Sequence, residues 1–169
     1  DIRDEEALNE AEAIATYINA AKLEHTPIDG AFDFEHYKSI HHFLFSDLYD
    51  WAGQVRTVDI SKKGTTFTPA SNVEKRAELI FKRLKERNYF KGLDHKEFVD
   101  EIVDFYCNTN ALHPFREGNG RTQRAFLTQL IRNAGYDINF AEIDTDLLMF
   151  ATIQSARGIT DLLKDIFSN

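Results

Sequence analysis

The punctuation of this chain constrains its fold more tightly than its composition does. Across 169 residues there are only three prolines and eight glycines. They fall between stretches in which apolar residues recur at helical spacing. Residues 4–24 are rich in Ala, Glu and Leu and predict a first helix, broken by Thr26-Pro27 and Asp29-Gly30. Asp33 is placed to cap a second helix whose stripe is Tyr37, Ile40, Phe43, Leu44, Leu48 and Trp51, with Gly53 as its stop. Ser71 and Glu74 have capping-box spacing and predict a third helix, with Val73, Ala77, Ile80, Phe81 and Leu84 inward. Asp94 and Glu97 repeat the device for a fourth, with Phe98, Ile102 and Phe105 inward. A fifth carries Phe126, Leu127, Leu130 and Ile131 and stops at Gly135. Asp144 caps a sixth, reaching Ser155, and Thr160 starts a short last one. The expected fold class is all-α.

One segment departs from this pattern. Arg56 to Thr68, "RTVDISKKGTTFT", places β-branched residues around "SKKG" and predicts a short hairpin with Gly64 at its turn. Two readings of it stay open. It is a connector between helices, or it is a flap whose unpaired edge holds a strand of another chain.

Charge and composition remove several functions. Twenty basic residues against 28 acidic ones leave a net charge of −8, so the chain lacks the basic surface a nucleic-acid binder needs to displace counterions. No run approaches the length of a membrane span. The opening "DIRDEEALNEAEA" lacks the basic-then-apolar order of a signal peptide, and a cytoplasmic location is expected. The lone Cys107 cannot form an internal disulfide and reads as a small buried residue. His41 and His42 are adjacent on a helix and face different directions, with no third ligand at a suitable spacing. They read as surface histidines rather than a metal site.

The chemistry concentrates in "HPFREGNGRTQR", His113 to Arg124. Gly118-Asn119-Gly120 precedes a helix, and the two glycines permit positive φ, so that successive N–H groups converge on an anion. The helix N-terminus adds unpaired N–H groups and a partial positive charge. Arg121 and Arg124 lie one turn apart and project from one side. The expected ligand is a polyphosphate. Glu117 would weaken such a site unless it carries a cation, and a Mg²⁺ bridging to phosphates resolves the conflict. Asn119 can donate its amide to a phosphate oxygen. His113 titrates in the range of a general base at neutral pH. Phe115 reads as an anchor for the loop, whereas Arg116 and Gln123 read as solvent-facing.

This stretch resembles the signature of the Fic family, His-x-Phe-x-Asp/Glu-Gly-Asn-Gly-Arg-x-x-Arg, at every defined position. "LFSDLYDWAGQVRTVDI", Leu44 to Ile60, is similar to the segment leading into the family's flap, and the likeness extends over nearly the whole chain. The resemblance implies a single Fic domain over 1–169, a helical bundle with a flap at about 56–68 and the motif loop and helix at 113–134. It implies a protein adenylyltransferase that moves AMP from Mg-ATP to a Tyr, Thr or Ser hydroxyl. By the same resemblance His113 takes the hydroxyl proton and Glu117 holds Mg²⁺. Gly118, Asn119 and Gly120 cradle the α-phosphate, while Arg121 and Arg124 neutralise the outer phosphates. Lys62, Lys63, Gly64 and Phe67, near the hairpin tip, align the target segment and cover the nucleotide. Gln154 and Ser155 are placed at the adenine.

The likeness is greatest to bacterial Fic toxins of toxin–antitoxin modules and to Fic domains of translocated effectors. Many relatives carry an inhibitory Ser/Thr-x-x-x-Glu helix whose Glu pairs with the second motif arginine. No Glu in this chain has Ser or Thr four residues earlier. A separate small antitoxin acting on Arg124, or a segment beyond these residues, is then expected. Two other functions are weighed on the same site: transfer of a different phosphate-containing group, and an inactive nucleotide-binding regulator.

Overall fold

In the computed structural model, residues 2–62 and 64–168 are described, with side chains from Glu6 onward. Seven helices and one small hairpin are found among them. The helices are α1 (Ile2–His25), α2 (Phe34–Phe45), α3 (Val73–Glu86), α4 (His95–Leu112), α5 (Asn119–Asn133), α6 (Thr145–Ala156) and α7 (Asp161–Ser168). The hairpin strands are β1 (Ser61–Lys62) and β2 (Thr65–Thr66), antiparallel, with Ser61 opposite Thr66 and Lys62 opposite Thr65. The all-α expectation holds.

Three of the predicted caps form. Asp33 Oδ1 accepts from His36 N at 2.9 Å, and Asp94 Oδ1 accepts from Glu97 N at 2.8 Å. Asp144 Oδ1 accepts from the N–H groups of Asp146 and Leu147. Each satisfies donors that the first helical turn leaves unpaired. Ser71 does not cap α3. A 3₁₀ turn over Ala70–Asn72 precedes that helix, and no side chain caps it. Thr160 precedes α7, and its carbonyl accepts from Lys164 N.

The second helix is shorter than its apolar stripe predicts. It ends at Phe45, and the chain runs on through turns to Gly53. Tertiary contacts override the helical spacing here. Tyr49 stacks on Trp51 at 4.4 Å, and its hydroxyl donates to Glu12 on α1 at 2.6 Å. Gly53, at φ +83°, donates its N–H back to His41 Nδ1 at 2.8 Å.

α4 runs through the centre of the molecule and packs against α3, α5, α6 and α7. The core is aromatic around Phe126 of α5, fully buried and ringed by Phe32, Tyr37, Phe81 and Phe105. Rings meeting edge-on and offset add specific geometry to the burial that drives packing. This core fixes the end of α4 against the start of α5, and the connection between them is residues 113–118.

Candidate active site

α4 ends at His113, whose φ of 43° and ψ of 63° are left-handed, a conformation a residue with a Cβ adopts only under constraint. That turn aims the imidazole at the hairpin. Phe67 lies against it, ring centroids 3.8 Å apart and planes 8° from parallel. Phe67 is buried at the base of the hairpin, below β2, and not at the tip where the sequence reading placed it. Burial, then the charges of Arg56 and Lys62, push His113 from its ordinary 6.5 down to about 4. At neutral pH the imidazole is therefore uncharged and able to accept a proton.

The loop after His113 is anchored by Phe115, which is fully buried, as expected. His41 stacks on it at 3.8 Å. His41 is completely buried, not a surface residue, because it shares the inward face of α2 with Tyr37, Ile40, Leu44 and Phe45. Its Nδ1 accepts from Gly53, so its Nε2 carries the proton and donates to the carbonyl of Glu117 at 2.9 Å. Desolvation holds this histidine at about 4 and uncharged. His42 is exposed, as predicted.

Gly118 is the one motif glycine that uses its freedom. It sits at φ +79° before α5, and a Cβ there would lie 2.3 Å from the Phe45 ring. Gly120 does not adopt positive φ, because α5 begins at Asn119 and places Gly120 in its first turn. There a Cβ would approach the Arg124 guanidinium to 3.0 Å. Asn119 bridges the loop: its Oδ1 accepts from Phe115 N at 2.9 Å and its Nδ2 donates to Phe115 O at 2.7 Å. One amide N–H is thus spent on the loop, leaving one for a ligand.

The two motif arginines part company. Arg121 is exposed and pairs with Glu12 on α1 at 3.2 Å, with Thr16 Oγ1 also at 3.2 Å. Arg124 is half-buried, and no carboxylate pairs with it among the described residues. Burial lowers its pKa, opposed by the nearby Tyr106. Glu117 is exposed, and its carboxylate takes part in no ion pair among the described residues. Arg116 lies over the Trp51 ring, whereas Gln123 is buried and donates to Tyr106 O and Thr109 Oγ1. The solvent-facing expectation fails for Gln123 because it precedes Phe126, Leu127 and Leu130 by three, four and seven residues and so belongs to the inward stripe.

A cavity of about 410 Å³ joins these parts. His113, Phe67, Lys62 and Thr65 form one side, Asn119, Gly120 and Arg124 another. The far wall is apolar and comes from Ile143 and, on α6, Leu148, Met149, Thr152, Ile153 and Ala156. Gln154 and Ser155 do not line it. Their places on α6 lie on another face, where the Ser155 hydroxyl donates to Thr152 O and sits against the half-buried Cys107. Gly64 occupies the hairpin turn at φ +79°, in open space, and Lys63 lies outside the described residues. A second cavity of about 710 Å³ runs between α1 and α5, and Arg124 lines both.

Sequence reasoning missed Arg56 and the bond from the Tyr106 hydroxyl to Thr152 Oγ1 at 2.7 Å. Arg56 is 3% exposed, and only its invariably charged head group, isolated before a hairpin, could have drawn attention to it.

Comparison with known proteins agrees with this geometry. The sequence model of the Fic/DOC family matches residues 31–131. The chain is 41% identical over 162 residues to the protein adenylyltransferase VbhT of Bartonella schoenbuchensis, covering 96% of this chain and 34% of VbhT. It is 36% identical over 167 residues to the probable protein adenylyltransferase Fic of Escherichia coli, covering 99% of this chain and 82% of that protein. The chain thus spans about a third of VbhT and most of the E. coli protein. Among solved structures it superposes on Bartonella tribocorum BepC with bound AMPPNP at a TM-score of 0.89 and 28% identity, covering 96% of this chain and 85% of that one. On the ADP-bound N-terminal Fic domain of a Bartonella quintana effector the TM-score is 0.91 at 29% identity, with 96% and 84% covered. With the family model spanning more than half its length and the signature loop folded at the mouth of the α4–α6 cavity, the chain belongs to the Fic/DOC family.

Proposed function

We propose that this chain is a protein adenylyltransferase, moving AMP from ATP to a Tyr, Thr or Ser hydroxyl of a target protein and releasing pyrophosphate. One observation carries the reading. An uncharged imidazole, His113, faces the same cavity as the N-terminus of α5 and the unpaired guanidinium of Arg124. In such an arrangement a hydroxyl loses its proton beside a phosphorus whose oxygens are already neutralised.

The roles in this reading are as follows. His113 accepts the hydroxyl proton. The N–H groups of Gly118 and Gly120, and the remaining amide N–H of Asn119, bind the α-phosphate. Arg124 neutralises the outer phosphates and so balances the charge that builds on the departing pyrophosphate. Arg121 acts beyond it, at the α1 side, where Glu12 competes for it. The nucleoside lies against the apolar wall of α6. Lys62 and Thr65 cover it from the hairpin, Phe67 packs against the His113 imidazole, and Gly64 at the hairpin turn faces the target.

Glu117 fits a magnesium ligand by its chemistry: an exposed carboxylate in the loop just before the N-terminus of α5. Among the described residues no group of three or more His, Cys, Asp or Glu gathers to hold an ion. The other oxygens would come from phosphates and water, the usual arrangement for Mg²⁺ with nucleotides. When bound, the ion would supply charge neutralisation to the phosphates.

A small inhibitor protein is the proposed regulator, reaching Arg124 from the cavity between α1 and α5. The reading takes 1–169 as one catalytic unit acting inside a bacterial cell or, as part of a larger effector, in a host. No helix of the described residues is long and apolar enough to cross a membrane.

Incubation with ATP labelled in the α-phosphate and a bacterial lysate tests the activity. Labelled protein bands carrying the mass of an AMP are expected with the wild type and absent with His113→Ala, which still binds Mg-AMPPNP by calorimetry. Equal labelling by the alanine variant would refute the base assignment, and γ-labelled transfer would refute the reaction.

A further inference from the structure

The last two residues of α4 and the two that follow present four successive carbonyls, Ala111 to Pro114, that the helix itself does not pair. All four are taken by two residues that flank the hairpin. The guanidinium of Arg56 donates through Nε to His113 O at 2.6 Å and through Nη2 to Leu112 O at 3.2 Å. The Arg56 N–H donates to Pro114 O at 2.9 Å. Thr68 donates its N–H and its hydroxyl to Ala111 O, each at 3.0 Å.

The same guanidinium also grips both legs of the hairpin. Nη1 donates to Val58 O at 2.9 Å on the way in, and Nη2 donates to Thr68 O at 2.5 Å on the way out. Arg56 is 3% exposed, and no carboxylate stands at ion-pair distance among the described residues. A buried charge with no carboxylate in direct contact is costly, and here carbonyl dipoles, the negative end of an 18-residue helix and the more distant Asp59 carboxylate offset it. Simple stability does not require such an expenditure, because an apolar residue could fill the space. What the guanidinium does that no apolar side chain could is hold the carbonyl of a left-handed His113.

We propose that Arg56 is a positioning residue for His113: its guanidinium fixes the left-handed turn that aims the imidazole and ties that turn to the β1–β2 hairpin. Base and flap then move as one body. Phe67, one residue before Thr68, is thereby set against the imidazole. The inference deepens the proposed reaction and rests on His113 being its base.

Arg56→Lys keeps the charge and loses the planar fork that reaches four carbonyls at once. The expected result is a roughly ten- to hundredfold fall in kcat for label transfer, the scale of a misaimed catalytic group, with the Kd for Mg-AMPPNP within about twofold of wild type. Wild-type kcat in folded Arg56→Lys overturns the proposal. Parallel loss of kcat, nucleotide affinity and Tm overturns it too, since that is a strut and not a positioning residue. Should Arg56→Lys not fold, Arg56→Gln, with two N–H donors and no charge, is held to the same split. Failure of both to fold also assigns Arg56 to folding alone. His113→Ala is run alongside. If it retains transfer, the base reading fails, and that outcome is distinct from any result at Arg56.

Discussion

Replacing Phe67 by alanine exposes the base to water, and the consequence can be worked from the stack. Phe67 covers one face of the His113 imidazole at 3.8 Å and is itself 8% exposed. Desolvation is the largest cause of the low His113 pKa of about 4. Removing the ring lets water solvate the imidazolium, and the pKa climbs towards its ordinary 6.5. The sign follows directly: with His113 proposed as the base, its uncharged form is the competent one, so activity is expected to fall as pH drops through the pKa. At pH 5 a histidine titrating at about 4 is roughly 90% uncharged, and one titrating at about 6.5 is only about 3% uncharged. Full recovery thus costs about thirtyfold in competent base at pH 5 and nearly nothing at pH 8. The truncation costs about 3 kcal/mol of stability as well, so fold must be checked first. Ring NMR signals of the six histidines, with His113 assigned from the spectrum of His113→Gln, give the midpoint directly. Transfer rates at pH 5 and pH 8 give the functional counterpart. A midpoint that stays at about 4 in folded Phe67→Ala would refute the claim that this ring keeps the base dry.

Two further expectations concern the loop and the arginines. Gly118→Ala meets both a positive φ and the Phe45 ring, and is expected to cost more than about 2 kcal/mol. Gly64→Ala shares the φ but meets open space and is expected to cost about 1 kcal/mol. Thermal denaturation of the pair checks this, and equal shifts would show that the contact with Phe45 does not matter. Glu12→Gln releases Arg121 from its exposed ion pair, with a stability change below about 1 kcal/mol. Mg-ATP is expected to bind about threefold tighter at low salt, the scale of a surface charge pair. Unchanged affinity by calorimetry would mean that Arg121 does not reach the phosphates.

The parts of the fold that the sequence made legible are those governed by local rules. Asp33, Asp94 and Asp144 cap helices because capping depends on a few neighbouring residues. The motif loop was legible for a different reason: its residue types are chemically unusual and close together. What stayed hidden depends on partners far along the chain. α2 stops at Phe45 because Tyr49 reaches Glu12 and Trp51 packs back, 37 residues separating one pair of partners. Arg121 and Arg124 look equivalent by helical spacing, and only the position of α1 distinguishes them. His41 was misread because adjacency to His42 drew attention away from its place in the stripe of Tyr37, Ile40 and Leu44. Gln154 and Ser155 stand off the cavity, and nothing in the spacing of α6 says which side looks into it.

One consequence of the position of Arg124 remains. A single guanidinium forms part of the wall of two separate hollows. An anion entering either one draws on the same positive charge and the same rotamer, so less of both is left for the other. Linkage makes that antagonism reciprocal: whatever factor an occupant of the α1–α5 side imposes on nucleotide affinity, nucleotide imposes on that occupant. A polyphosphate in one hollow would then weaken an anionic occupant of the other through the one side chain they share.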